Sequence, residues 1–228
     1  MRFTSRITAA PILLSLFALV GGLQVRGQAV YTDPAGQASQ NFSGNLALTF
    51  SVNSPVTVDE LGVYNASGTG LITGPIDVEI YDLTTSSVVA GVTIFAGQYT
   101  PQGYDVFQAL PTPVTLAAGS YEVDAVGFGS SDRNGNLNTG SSSGPILNDL
   151  GGALTFTGAA WDYSTTLDHP TGCSTCQAEP DQNSQFDAGT FEVPEGGSSL
   201  PYLLLGGVSC FGAMFFISRN RFTNLTAA

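Results

Sequence analysis

The chain has one histidine, His169, directly after Asp168 and before Pro170. Histidine beside an acid is raw material for acid–base or nucleophilic catalysis, but a Ser-His-Asp system depends on a serine that only the fold can bring near. No nucleophile elbow on a strand-to-helix turn is legible, and His169 reads as a loop residue. Paired carboxylates could serve glycoside hydrolysis. Asp59-Glu60, Asp77 with Glu79, and Glu122 with Asp124 are available. Their abundance in so acidic a chain makes them weak signals, and the last two pairs are expected on the solvated face of strands. Lysine is absent, which excludes lysine Schiff-base chemistry and a P-loop. The expectation is therefore a chain without a catalytic centre, with a polysaccharide-active enzyme as the lesser alternative.

Three further groupings have chemical meaning. Asp132, Asn134 and Asn136 set oxygen donors two residues apart, which suits a loose structural calcium site. The loop lacks the glycine at position six and the glutamate at position twelve of an EF-hand, so an ordinary polar turn is the competing reading. Cys173-Ser174-Thr175-Cys176 suits a disulfide pinning a loop in an oxidising compartment. Two free thiols are also open; a zinc pair would need two more ligands, and His169 is the one candidate in sequence reach. Trp161 and Tyr163 share a face if they lie on a strand, and could meet a glycan or simply pack.

The elements that must hold these residues are strands. Leu46, Leu48 and Phe50 alternate with Ala47, Thr49 and Ser51; Ile76, Val78 and Ile80 alternate with Asp77, Glu79 and Tyr81; Tyr121, Val123 and Ala125 alternate with Glu122 and Asp124. Period two marks half-buried strands. More strands are expected at 56–64, 88–95, 104–110, 153–156 and 186–191, separated by turns at Ser54-Pro55, Gly68-Thr69-Gly70 and Ala118-Gly119. No internal stretch keeps a helical period. The expected fold is all-β: a two-sheet antiparallel β-sandwich, jelly-roll or Greek-key-like, with residues 132–147 as a long exposed loop.

The two ends have a different character. Arg2 and Arg6, the apolar stretch Ala9–Val20, and Gly27-Gln28-Ala29 make a secretory leader over 1–29, cut after Ala29. Residues 30–192 form the domain. Val193-Pro194-Glu195-Gly196 opens a motif over 193–197, and Ser198 to Ser218 is free of charges. That length suits one transmembrane helix, and Arg219 and Arg221 after it favour a cytoplasmic C-terminal side. Residues 219–228 are the basic stop and a short tail. Cys210 lies within the apolar run as a small filler.

Motif, span and arginines together resemble the PEP-CTERM sorting signal of Gram-negative bacteria, here over residues 193–221. The resemblance implies export by the general secretory route, removal of the leader by signal peptidase, and processing by an exosortase near Val193. It also implies an exopolysaccharide-producing bacterium as the source. The chain is then anchored at its C-terminus before processing, and afterwards resides at the cell surface or in the extracellular matrix. More loosely, Phe50 to Phe128 resembles β-sandwich domains common among such exported proteins, a likeness that carries no catalytic residue.

Charge narrows the partners. Between Val30 and Glu192, 17 acidic residues face Arg133 alone. Almost nothing there could neutralise phosphates, so nucleic acid is excluded as a partner. The expected role is structural or adhesive, towards exopolysaccharide or other surface proteins. A carbohydrate-binding module is the alternative. No cofactor beyond a structural calcium ion is expected.

Overall fold

The computed structural model describes residues 27–33, 39–68, 73–136, 145–172, 177–179 and 186–194. In chain order the strands are β1 (Gln28–Ala29), β2 (Tyr31–Thr32), β3 (Ser39–Gln40), β4 (Leu46–Val52), β5 (Val56–Tyr64), β6 (Ile76–Asp82), β7 (Ser87–Ile94) and β8 (Thr100–Gln102). They continue as β9 (Asp105–Leu116), β10 (Gly119–Val126), β11 (Asn134–Gly135), β12 (Ile146–Leu147), β13 (Leu154–Trp161), β14 (Gln177–Glu179) and β15 (Gly189–Val193). The only helical element among the described residues is a 3-10 turn at Pro170–Gly172.

One sheet runs β1-β15-β5-β9-β8 and the other β14-β13-β4-β10-β6-β7; β11 with β3 and β12 with β2 form two small pairs. Every pairing is antiparallel. The all-β, antiparallel expectation therefore holds. The sheets are not built from chain neighbours alone. β15 inserts beside β5, and β13 lies beside β4, across long stretches of sequence.

Alternation explains the main packing. Leu46, Leu48 and Phe50 of β4, Ile76, Val78 and Ile80 of β6, and Tyr121, Val123 and Ala125 of β10 belong to one buried cluster. Val58, Leu61 and Val63 of β5, Val106, Leu110 and Leu116 of β9, and Phe191 of β15 belong to the same cluster. A single hydrophobic layer thus takes side chains from both large sheets. The ring of Phe50 lies 5.2 Å from that of Phe191 and 5.8 Å from that of Tyr121, separations at which aromatic pairs attract beyond their buried area.

The ends of the described domain meet. Gln28 pairs with Val193 and Ala29 with Glu192, and Ala29, Val30 and Val193 are buried. The last two residues of the expected leader therefore form an edge strand against Glu192 and Val193, the latter the first residue of the expected sorting motif. Pro194 follows in the open and, lacking an N–H, suits the end of a ladder. Residues 1–26 and 195–228 lie outside the described residues, and with them the leader's charged and apolar parts, Glu195, Gly196, the 198–218 segment, Arg219 and Arg221. Among the described residues no helix is long and apolar enough to cross a membrane.

Candidate metal centre

Three adjacent strands create the site. On β10, Glu122 and Asp124 are two residues apart and so point the same way. Asp124 pairs with Glu79 on β6 and with Ala47 on β4; Glu122 pairs with Tyr81 and Thr49. These residues occupy the face opposite the core. Period two predicts a solvated face there, and the structure corrects this for three of the acids. The side chains of Glu122 and Asp124 are fully buried and that of Glu79 is 11% exposed. Asp77, on the same face of β6, stays half-buried and accepts a bond from Thr93 Oγ1 at 2.6 Å.

The cover is a strap over residues 162–172. It begins where β13 ends, with Ser164 N donating to Asp162 Oδ1 at 2.7 Å. Asn45 Nδ2 donates to Asp168 Oδ1 at 2.9 Å and ties the strap down. His169 takes a positive φ of 58°, a conformation few non-glycine residues adopt. Its ring stacks on Tyr81 with centroids 3.5 Å apart and planes 10° from parallel. The residue that read as an ordinary loop histidine is thereby aimed at the carboxylates. Nδ1 lies 3.2 Å from Glu79 Oε1, 3.6 Å from Asp124 Oδ2 and 3.8 Å from Glu122 Oε1.

These atoms approach one another without bonding well. Glu79 Oε1, both oxygens of Glu122, both of Asp124, and His169 Nδ1 are buried with no partner of hydrogen-bond geometry. Thr171 and His169 lie near enough to favour ionised carboxylates, yet burial dominates. It pushes Glu122 up to about 7 and Asp124 up to about 6, and raises Glu79 as well. The His169 imidazole is held above its ordinary value by Asp124, against the opposing effect of its own burial. Like charges directly across a ladder repel, and a desolvated carboxylate without a partner is costly. The arrangement can keep protons or hold a cation. One atom each of Glu79, Asp124 and His169 lie mutually within 4.8 Å, close enough to ligate a single metal ion.

A second acidic group lies elsewhere. Asp33, Asp105, Asp187 and Glu192 are all buried. Asp33 N donates to Asp105 Oδ2 at 3.2 Å. Gly135 and Asp187 exchange backbone hydrogen bonds of 2.9 and 3.2 Å, and a Cβ at Gly135 would collide with the Asp187 carboxylate. Burial, with the charges of Asp105 and Asp187, lifts Asp33 well above the carboxylate range. Burial also lifts Asp105 to about 7, although Asp33 pulls it back.

The residues singled out from sequence have separate settings. Asp132 binds the 73–74 backbone: Thr73 N and Oγ1 and Gly74 N all donate to its carboxylate at 2.7–3.1 Å. Asn134 is fully buried in β11, and its Nδ2 donates to Phe42 O at 2.7 Å. Asn136 is half-buried in a groove with Gln40, Phe42, Trp161, Tyr163 and Phe186. The expected exposed loop at 132–147 is thus partly interior. In the groove Trp161 and Tyr163 meet edge to face at 5.3 Å, and both meet Phe42. Trp161 packs against the core, whereas Tyr163 is 79% exposed. β13 ends at Trp161, so the two aromatics gather through the strap and not along one strand. Cys173 and Cys176 lie outside the described residues.

Sequence reasoning missed the joining of Glu79, Glu122, Asp124 and His169. The alternation placed the three acids on one face, but nothing in it announced a cover. The chain matches no protein-family model and no curated protein.

Proposed function

We propose that this is an exported, surface- or matrix-associated protein of an exopolysaccharide-producing bacterium, with a structural or adhesive and non-enzymatic role. In this reading signal peptidase and an exosortase process its ends, and residues 198–218 form a transmembrane helix before processing. The two large sheets face each other as a jelly-roll or Greek-key-like sandwich. The observation that carries the reading is the tail itself, Val193 to Arg221. The domain's acidity suits an exported, soluble module.

The test is fractionation of the native bacterium with intact-mass determination. The expected product lacks the leader and the segment beyond the Val193 motif, and is found at the surface or in the matrix. A chain retained in the inner membrane with its tail intact would overturn the processing reading. Hydrolysis of bacterial glycans by the purified protein would overturn the non-enzymatic one.

A second reading is glycan binding, favoured by the exposed Tyr163 ring beside Trp161 and Phe42. Aromatic faces receive the C–H faces of sugars, while Gln40 and Asn136 offer amides at the groove's edge. Tyr163→Ala is expected to weaken saturable binding to the bacterium's own exopolysaccharide by about tenfold, with the melting temperature unchanged. Absence of saturable binding in the unmodified protein would dismiss this reading.

A further inference from the structure

We propose that Glu79, Glu122, Asp124 and His169 bind one borderline first-row divalent cation, of the Zn2+ or Mn2+ class, which fastens the 162–172 strap to the six-stranded sheet. The inference is independent of the export reading.

Geometry is the first support. Ligands held about 2.1 Å from a metal in a tetrahedron sit roughly 3.4 Å from one another. The Nδ1 separations of 3.2 Å to Glu79 and 3.6 Å to Asp124 bracket that edge, and these three ligand atoms lie mutually within 4.8 Å. Glu122, 3.8 Å from Nδ1, stands just outside the set and completes it by a side-chain shift. Unmet bonding is the second. Glu122 and Asp124 have fully buried side chains whose four carboxylate oxygens make no hydrogen bond of good geometry, with Thr171 near Glu122 and His169 near Asp124. His169 Nδ1 points at them equally without a well-formed bond. Charge is the third. Arg133 is the one Lys or Arg among the described residues, and it is exposed. No fixed cation other than a protonated His169 is available to the three carboxylates.

The donor set selects the ion. A hard cation such as calcium prefers an all-oxygen shell, whereas an imidazole nitrogen among carboxylates suits zinc, manganese or iron. His169 comes from the strap, and the acids come from β6 and β10. A shared ion would therefore join segments far apart in sequence. The stacked Tyr81 already fixes the plane of the imidazole, in the manner of the neighbours that orient metal-bound histidines.

The test uses the full chain in detergent, stripped with chelator and titrated separately with Zn2+, Mn2+ and Ca2+. The expected result is one Zn2+ or Mn2+ per chain. The melting temperature should rise by about 5–10 °C at a concentration a hundredfold above Kd. His169→Ala should remove most of that rise. Glu122→Gln keeps the side chain's shape and removes a buried charge, so it should fold without metal and respond at least tenfold more weakly. No shift with Zn2+ or Mn2+ at millimolar concentration would overturn the proposal. So would a full response in both variants, which would place the bound ion on the cysteines or the general acidic surface. A response to Ca2+ alone would overturn the assignment of cation class.

Discussion

In chelator, the domain is expected to become less stable as pH rises from 5 to 8, the reverse of most salt-bridged proteins. Two buried groups act with the same sign: Asp33 and Asp105 beside Asp187, and Glu122, Asp124 and Glu79 beneath the strap. Burial pushes Asp105 from 3.8 up to about 7 in the fold, and burial with the charges of Asp105 and Asp187 raises Asp33 as well. Between these values the unfolded chain has released a proton that the folded chain keeps. Rising pH therefore favours unfolding. The stabilising contribution is complete below the unfolded value and disappears as pH climbs through the folded one. For Asp105 alone it is on the order of 4 kcal/mol, or about 10 °C in melting temperature for a domain of this size. Calorimetry across the pH range measures it, with Asp105→Asn as the comparison. Asparagine keeps an oxygen for Asp33 N, so the variant should be more stable at pH 8 and show a flatter profile. A wild-type profile that is level or rises, or a variant with the wild-type slope, would contradict an origin in these buried carboxyls.

Phe50→Ala is expected to cost about 3–5 kcal/mol, the range for emptying a fully buried aromatic site. That is a large share of the 5–15 kcal/mol typical of a whole domain. Phe50 is 1% exposed and touches Phe191 across the layer and Tyr121 on its own sheet. Equilibrium urea unfolding gives the loss directly, with Tyr163→Ala as an exposed aromatic control expected within about 0.5 kcal/mol of wild type. A loss below about 1 kcal/mol for Phe50 would mean that the two sheets do not depend on a shared packed layer.

The strands were legible wherever one face is apolar and the other polar. Val56 to Tyr64 is β5 residue for residue, and the alternations at 46–51, 76–81 and 121–125 all fall within strands. Their partners were less so. Alternation says which side chains share a face, not which distant strand lies alongside, and β13 and β15 join their sheets across more than a hundred residues. The site failed for a related reason. Glu79, Glu122 and Asp124 carry the same polar signature whether water or a strap covers them. The strap has little periodicity to read, and its hold on the sheet rests on single contacts such as Asn45 to Asp168 and Tyr81 to His169. Asn134 misled likewise: an asparagine amid glycines reads as a turn, yet its amide is needed inside to bond Phe42 O.

The insertion of late strands between early ones has a practical corollary for anyone handling the molecule. Trypsin finds one cleavage point between Arg26 and Arg219, after the exposed Arg133. A cut there leaves β4, β5, β6, β9 and β10 on one piece and β13 and β15 on the other. Each sheet then contains strands from both pieces, so the nicked protein should migrate intact under native conditions and separate only in denaturant. The two pieces, 30–133 and 134 to the processed end near Val193 in the export reading, are far longer than the peptides sought in routine tryptic surveys. Such surveys would under-count this protein however abundant it is, and cleavage at aspartate or glutamate is the better choice for detecting it.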